Sequence, residues 1–121
     1  YFMEPTIFAN VTSDMRIAQE EIFGPVICVI PYDDLAHAID IANDSQFGLS
    51  GAVFTNDLEK AYHVARSVRT GTMGQNGPRN DFTIGFGGFK KSGIGREGGV
   101  AGLKAFLEAK TVLLDGIPDT L

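Results

Sequence analysis

The sequence predicts an α/β fold in which helices pack on a parallel sheet. Two observations carry this prediction. Short β-branched runs alternate with segments of helical periodicity, and the run Val26–Ile30 is apolar without interruption. Such a run is typical of a strand that is buried on both faces of a parallel sheet. The order strand, helix, strand, helix, strand then implies right-handed parallel crossovers.

A first helix is predicted directly after this strand. Apolar residues recur there at the spacing i, i+3, i+4 and i+7, which forms one stripe: Leu35, Ala38, Ile39 and Ala42. Asp33 and Asp34 can cap its start, because the free N–H groups and the helix dipole favour a carboxylate there. Asn43–Ser45 and Gly48 are expected to end it.

A second strand and helix follow. Ala52–Phe54 is the predicted strand, and Asn56 with Glu59 resembles a capping box at the start of the helix. One face of this helix carries Leu58, Ala61, Tyr62, Ala65 and Val68. Gly71 is expected to stop the helix, and Thr72–Gln75 to form a third strand.

The structure of the two ends of the chain and of its glycine-rich part is predicted from the positions of Pro and Gly and from segment length. Residues 1–25 are expected to be extended segments and loops, since Pro5, Gly24 and Pro25 interrupt them. Residues 76–99 are expected to form a long glycine-rich loop, and loops of that length inside compact domains are usually functional. A last helix over Val100–Ala109 and a last strand over Thr111–Leu114 complete the prediction.

Composition excludes several classes of protein. The chain has 121 residues, of which 44% are hydrophobic and 21% charged, as in an ordinary soluble domain that buries roughly two-thirds of its surface in one core. Its net charge of −5, without a basic cluster, predicts no nucleic-acid partner. No stretch is apolar enough to span a bilayer, and no signal peptide is recognisable, so we expect no membrane partner.

Two further features bear on cellular location and processing. The single cysteine, Cys28, allows no internal disulfide and favours a reducing compartment, so we expect a cytoplasmic protein. Because Tyr1 rather than Met is the first residue, we expect the chain to be processed or cut from something longer.

Several residues that could carry chemistry are better explained by structure. Gly93, Gly95 and Gly98 spell the G-x-G-x-x-G pattern of dinucleotide-binding folds, but that motif requires a preceding strand and a loop is predicted instead. Cys28 is expected to be a buried, inert thiol in a strand. His37 and His63 are expected to be surface or packing residues rather than catalytic bases. No spacing of Cys, His or Asp indicates a metal site.

Two segments can be interpreted either as functional or as purely structural. Glu20-Glu21 could accept hydrogen bonds from a vicinal diol such as ribose, with Phe23 packing on a flat ring, or could be a solvated acidic pair beside a core Phe. Phe86–Phe89 could line a pocket or form a tight turn. Glu97 could simply be the dipole partner of the last helix. The residues alone therefore lead to an α/β chain with a candidate ligand-facing loop.

Two motifs resemble signatures of the NAD(P)-dependent aldehyde dehydrogenase superfamily, in the C-terminal segment of its members. They are Gln19–Val26, which reads QEEIFGPV, and Phe86–Glu97, which reads FGGFKKSGIGRE. Weaker matches in the family's order extend the resemblance over nearly the whole chain: Tyr1–Phe8, Ala42–Asp44, Phe47–Leu49, Ala52–Thr55, Gly71–Thr72 and Gly102–Val112. The resemblance implies a division into a C-terminal part of the catalytic domain, residues 1–109, and an oligomerisation strand with its tail, residues 110–121.

The resemblance also implies roles for individual residues. Glu21 would contact the hydroxyls of the nicotinamide ribose of NAD or NADP, and Phe23 would hold the nicotinamide end. Phe86 would line the substrate pocket, and Glu97 would lie on a proton path near the active site. The closing strand would pair with a neighbouring subunit in a homo-oligomer, a dimer or a tetramer. No metal is implied.

The reaction implied is oxidation of a small-molecule aldehyde to a carboxylic acid with NAD(P)⁺. A Cys thiolate attacks the aldehyde, hydride leaves the thiohemiacetal for the cofactor, and a Glu-activated water hydrolyses the thioester. The Gly-Gln-x-Cys nucleophile motif, the general base and the Rossmann segment do not occur in this chain, so we expect the isolated chain to be inactive. The alternatives are a non-catalytic truncated module that acts in oligomerisation or binding, and an independent nucleotide-binding protein that uses Gly93–Gly98.

The chain departs from the family pattern at two places. Gly85 precedes Phe86 where many members have Pro, and Thr72–Asn76 lacks the aromatic residue that members often carry. Both departures would leave the pocket wall more open and leave the choice of substrate undefined.

Overall fold

Six strands and four helices are found in the computed structural model, which describes residues 1–79 and 81–120. Asn80, in the predicted loop, and Leu121, in the predicted tail, lie outside the described residues. In chain order the elements are β1 (Thr6–Phe8), α1 (Arg16–Gln19), β2 (Val26–Cys28), α2 (Leu35–Asn43), β3 (Phe47–Gly48), β4 (Ser50–Val53), α3 (Leu58–Ser67), β5 (Thr72–Gln75), β6 (Phe89–Lys90) and α4 (Gly99–Lys104).

Parallel pairing is confirmed at two places. β4 pairs with β5 in parallel, with α3 as the crossover, so the predicted strand–helix–strand unit is present. β2 pairs in parallel with β1, a strand that the sequence did not indicate because Pro5 precedes it and only three residues take part. The fold is therefore α/β, as predicted.

The predicted parallel sheet is divided into separate pieces among the described residues. Their strands form three separate two-stranded sheets, β1–β2, β4–β5 and the antiparallel β3–β6. The run Val26–Ile30 is accordingly not buried on both faces, and the side chain of Ile27 is 61% exposed. A strand with a single neighbour and no covering layer cannot bury both faces, whatever its composition.

The helix starts are set by aspartates. Asp34 caps α2 by accepting a hydrogen bond from the backbone N–H of His37 at 2.8 Å, which is one of the two predicted caps. α3 is capped by Asp57, which accepts from the N–H of Lys60 at 3.0 Å, and not by Asn56 as predicted. The helix begins one residue later than the motif suggested, and the cap moves with it.

The buried apolar core is small. Only four hydrophobic side chains are buried among the described residues, and three of them lie on or just after α3: Val11, Ala61, Val64 and Val68. The accessible surface of the chain is 10141 Å². A free-standing folded protein of this length exposes roughly 6,300 Å², so the expectation of a well-covered single core is wrong for this chain taken alone.

The last quarter of the chain also differs from prediction. α4 ends at Lys104 rather than Ala109, with only Gly102 of this helix buried, so packing does not extend it. Thr111–Leu114 forms no strand among the described residues, and all four residues are exposed. A strand needs a hydrogen-bonded neighbour, and the described part of the chain supplies none there. No helix within residues 1–79 and 81–120 is long and apolar enough to cross a membrane.

Candidate active site

The glycine-rich loop is folded back on itself so that Phe86 and Glu97 face each other across an antiparallel bridge. The N–H of Phe86 donates to the carbonyl of Glu97 at 2.7 Å, and the N–H of Glu97 donates to the carbonyl of Phe86 at 2.8 Å. Two residues that are eleven positions apart in the sequence are thereby fixed side by side. The loop is ordered by these bonds and by the short strand β6 within it.

Close backbone approach explains part of the glycine content. A Cβ on Gly71 would lie 1.6 Å from the carbonyl oxygen of Gly87, so only glycine lets the loop pack this tightly against the start of β5. The guanidinium of Arg96 donates to the carbonyls of Gly88 at 3.0 Å and Gly95 at 2.7 Å, and lies 5.3 Å from the ring centre of Phe89. These contacts hold the two arms of the loop together.

An open cleft of about 400 Å³ lies at the Phe86–Glu97 bridge. It is lined by Thr72, Arg79, Asp81, Phe82, Ile84, Gly85, Phe86, Glu97 and Gly98. Phenylalanine and isoleucine side chains provide its apolar wall, and Glu97 is exposed at the cleft. The cleft therefore combines an apolar surface with two accessible carboxylates, those of Glu97 and Asp81, and small-molecule sites have this character.

Glu21 lines a second cleft, of about 440 Å³, together with Lys91, Ser92, Phe47 and Leu49 among others. A third cleft along the glycine-rich loop shares Leu49 and Ser92 with the Glu21 cleft. That third cleft also shares Phe86 and Glu97 with the first. The three clefts are therefore neighbours, and they bring Glu21, Phe86 and Glu97 into one region.

Glu20 and Phe23 behave differently from Glu21. The Glu20 carboxylate forms an ion pair with Arg16 at 2.8 Å, and the hydrogen bond from Arg16 lowers the pKa of Glu20. Phe23 has a φ of 49°, so the segment is not extended there, and its side chain is 92% exposed. Phe23 does not line the three clefts, and the alternative that it is a core residue is wrong. The structure thus brings together three of the four candidate residues.

Sequence reasoning missed the polar rim of the first cleft. The Asp81 carboxylate accepts hydrogen bonds from the Thr83 hydroxyl at 2.6 Å and the Thr83 N–H at 2.9 Å, and these bonds lower the pKa of Asp81. Asp-x-Thr is a known turn pattern, and this signal could have been used. Arg79 and Phe82 carried no comparable pattern in the sequence.

The two histidines lie at the surface, and the single cysteine lies near it. His37 and His63 are exposed, and the Nδ1 atom of His37 lies 3.2 Å from Asp33 Oδ2. Cys28 is half-buried rather than buried, and its thiol donates to the carbonyl of Ile17 at 3.4 Å. In the part of the chain that the structure describes, no group of three or more Cys, His, Asp or Glu residues could hold a metal ion.

The G-x-G-x-x-G stretch is not preceded by a pure loop, as we had expected. β6 ends at Lys90, three residues before Gly93, and α4 begins just after Gly98. This strand has two residues and pairs antiparallel with β3, whereas the dinucleotide motif requires a strand of a parallel β–α–β unit. The motif is therefore rejected because the preceding strand is antiparallel, and not because a loop precedes it.

Comparisons with known proteins find similarity over nearly the whole chain. The model of the aldehyde dehydrogenase family matches residues 1–112. This chain belongs to the aldehyde dehydrogenase family. It is 55% identical over 113 residues to a 3-succinoylsemialdehyde-pyridine dehydrogenase from a Pseudomonas species, a match that covers 93% of this chain and 24% of that protein. The chain thus spans about a quarter of the length of the curated relatives it matches.

Solved structures of family members superpose closely on this aldehyde dehydrogenase chain. An aldehyde dehydrogenase from Mycobacterium tuberculosis complexed with NAD⁺ is 52% identical with a TM-score of 0.90, over 93% of this chain and 23% of that one. A mutant of aldehyde dehydrogenase C from Pseudomonas syringae, complexed with NAD⁺ and octanal, is 50% identical with a TM-score of 0.82, over 86% and 21%.

Proposed function

We propose that this chain is the C-terminal segment of an enzyme that oxidises an aldehyde to a carboxylic acid with NAD⁺ or NADP⁺. Three findings support the proposal: family membership, the coverage of about a quarter of each relative, and the surface left uncovered by the chain alone. The relatives crystallised with NAD⁺ and with octanal indicate the cofactor and substrate class. The nucleophilic Cys, the general base and the adenosine-binding segment would come from the remainder of the protein.

The observation that carries the proposal is the meeting of Glu21, Phe86 and Glu97 in adjoining clefts. Glu21 would accept hydrogen bonds from the hydroxyls of the nicotinamide ribose, because the neighbouring carboxylate of Glu20 is already engaged by Arg16. NAD(P)⁺ would supply the hydride acceptor when bound. Phe23, on the exposed surface beyond Glu21, would cover the nicotinamide end.

Phe86 and Glu97 would serve the aldehyde side of the site. Phe86 contributes to the apolar wall of the first cleft, which would take the organic part of the aldehyde. Glu97 is exposed in the same cleft and would relay a proton during thioester hydrolysis. The bridge between their backbones would keep the pocket wall and the proton carrier in a constant relation.

We further propose that the protein is a cytoplasmic homo-oligomer, a dimer or a tetramer, whose contacts include residues 110–121. The exposed apolar residues Val112, Leu113 and Leu114 support this assignment. They also support the second candidate function, a non-catalytic module that acts in oligomerisation or binding. The two candidates differ in whether the remainder of the catalytic machinery is present on the same protein.

The test compares the full-length protein with the isolated 121-residue chain in an assay of NADH or NADPH formation over a panel of aldehydes. We expect turnover by the full-length protein and none by the chain, since loss of a nucleophile lowers kcat by several orders of magnitude. Turnover by the isolated chain, in a preparation free of full-length enzyme, would contradict the proposed division of roles. A full-length protein that binds cofactor but oxidises no aldehyde would favour the non-catalytic module.

A further inference from the structure

The last residue of α2 and the three residues after it, residues 43–46, receive hydrogen bonds from two distant segments of the chain. We call these four residues the α2 end. Lys90 Nζ donates to the carbonyls of Asn43 at 2.8 Å and Ser45 at 2.9 Å, and Gln19 Nε2 donates to the carbonyl of Asp44 at 2.7 Å. Carbonyls at a helix end have no partner within the helix, and the helix dipole favours a cation there. The α2 end is thus a natural acceptor for both donors.

Lys90 ties the glycine-rich loop to this anchor. Its side chain is half-buried and its φ is 55°, an uncommon backbone region for a lysine. Its neighbours add to the attachment: the N–H of Lys91 donates to the carbonyl of Gln46 at 2.9 Å, and Ser92 Oγ accepts from the N–H of Gly48 at 2.9 Å. The turn between Phe86 and Glu97 is therefore docked on the α2 end.

Gln19 ties the Glu21 segment to the same anchor. Its side-chain amide has two N–H groups, and the nitrogen also donates to the carbonyl of Ser13 at 2.7 Å. Gln19 is half-buried, whereas Glu21 two residues later is exposed in its cleft. Glu21, which would contact the cofactor, thus lies only two residues after a residue that is hydrogen-bonded to the α2 end.

The anchor is itself held in place by α3. The side chain of Asn43 donates to the carbonyl of Ser67 at 2.9 Å and accepts from the N–H of Arg69 at 2.8 Å. These bonds join the end of α2 to the end of α3, next to the small buried core at Val64 and Val68. The α2 end therefore has a fixed position relative to the best-packed part of the chain.

We propose that Gln19 and Lys90 are positioning residues that use the α2 end as a common anchor, and so set the spacing between Glu21 on the cofactor side and the Phe86–Glu97 bridge on the aldehyde side. The inference rests on the proposed function, which assigns these two sides. Reactions between bound partners depend steeply on separation, and a misplacement of about 1 Å can cost roughly 100-fold in rate. Both are assigned to positioning because their side chains donate to backbone carbonyls of the α2 end.

The experiment uses the full-length protein with Lys90→Met, Gln19→Leu and the double variant, and Lys60→Met as the matched control. Lys60 is an exposed lysine of α3 outside the clefts described here. At assay temperatures where the variants remain folded, we expect kcat of each single variant to be roughly 10- to 100-fold lower than kcat of the unsubstituted enzyme. The double variant should lose less than the product of the single losses, because both changes release the same spacing. Lys90→Arg should restore part of the activity, since it keeps a cationic donor.

A second readout separates this inference from the proposed function. The amide hydrogens of Phe86 and Glu97 are bonded across the loop, so their exchange with solvent should accelerate in Lys90→Met and stay unchanged in Lys60→Met. Unchanged kcat and unchanged exchange in Lys90→Met would overturn the role of Lys90. If the fold-loss in kcat of the double variant equals the product of the two single fold-losses, the two residues act independently, and the common anchor is overturned. If the unsubstituted protein oxidises no aldehyde, the proposed function fails, and the exchange rates still decide whether Lys90 holds the loop.

Discussion

Two adjacent glutamates show how strongly a residue's role depends on its immediate contacts. Glu20 and Glu21 are chemically identical, yet Arg16 engages only Glu20, through two nitrogen–oxygen contacts of 2.9 and 2.8 Å. The pair is exposed, so its contribution to stability is small. Both carboxylates line the same cleft, and the ion pair distinguishes them because Arg16 engages Glu20 and not Glu21.

Replacing Glu21 by Gln in the full-length enzyme should slow hydride transfer about 10- to 100-fold. The carboxylate is a charge-assisted acceptor for ribose hydroxyls, an interaction worth roughly 1.5–3 kcal/mol. Single-turnover measurement of reduced cofactor, beside the cofactor Kd, provides the check. Glu59→Gln, on the exposed face of α3, serves as the control. An unchanged hydride step in Glu21→Gln would rule out the ribose contact.

Replacing Thr83 by Val should raise the pKa of Asp81 towards its ordinary value. The hydroxyl of Thr83 is the largest cause of the lowered pKa, followed by the N–H of Thr83, which the substitution retains. Because the folded-state pKa is lowered, this interaction stabilises the fold at pH values above the unfolded-state pKa. The stabilisation is lost as the pH falls through the folded-state pKa. Titration of the Asp81 carboxyl by NMR measures the change, and an identical titration curve in the variant would refute this account.

At the scale of elements, the short strands are where the structure departed most from expectation. β6 has two residues and exists only because Phe47 and Gly48 lie opposite Lys90 and Phe89. No local pattern encodes such a pair, since its hydrogen bonds join positions more than forty residues apart. The helices α2 and α3, by contrast, follow from local periodicity and capping.

The identity of the α3 cap offers a test at this scale. Asp57→Ala should destabilise the first turn of α3 by roughly 0.5–2 kcal/mol, because it removes the acceptor for the N–H of Lys60. Asn56→Ala should have little effect, although the sequence favoured Asn56 as the cap. Hydrogen exchange at the Lys60 amide in the full-length protein reports the difference. Equal exchange rates in the two variants would contradict the cap seen in the structure.

At the scale of the whole molecule, exposed apolar surface dominates. Large hydrophobic side chains remain uncovered along the chain, from Phe2 at 107% exposure to Ile117 at 90%. Exposed apolar side chains in this number are typical of a surface that other protein segments cover. This exposure agrees with a chain that spans about a quarter of the length of its relatives.

Truncation after Lys110 in the full-length protein should shift the oligomer towards smaller species. Val112, Leu113 and Leu114 are 62%, 89% and 62% exposed, and an unpaired apolar segment of this kind is normally covered by another chain or blocked by charges. Light scattering during dilution measures the mass of the oligomer. An unaltered mass and unaltered dissociation would show that the segment lies against its own subunit.

The sequence by itself determined the α/β class, helices α2 and α3, strand β5 and the family, because these depend on local periodicity, caps and motifs that are read in order along the chain. It also singled out Glu21, Phe86 and Glu97. Only the tertiary structure decided that these three lie in adjoining clefts, that Phe23 does not, and that the α2 end receives bonds from both Gln19 and Lys90. Those outcomes depend on hydrogen bonds between positions 25 to 47 residues apart, and spacing along the chain carries no information about them.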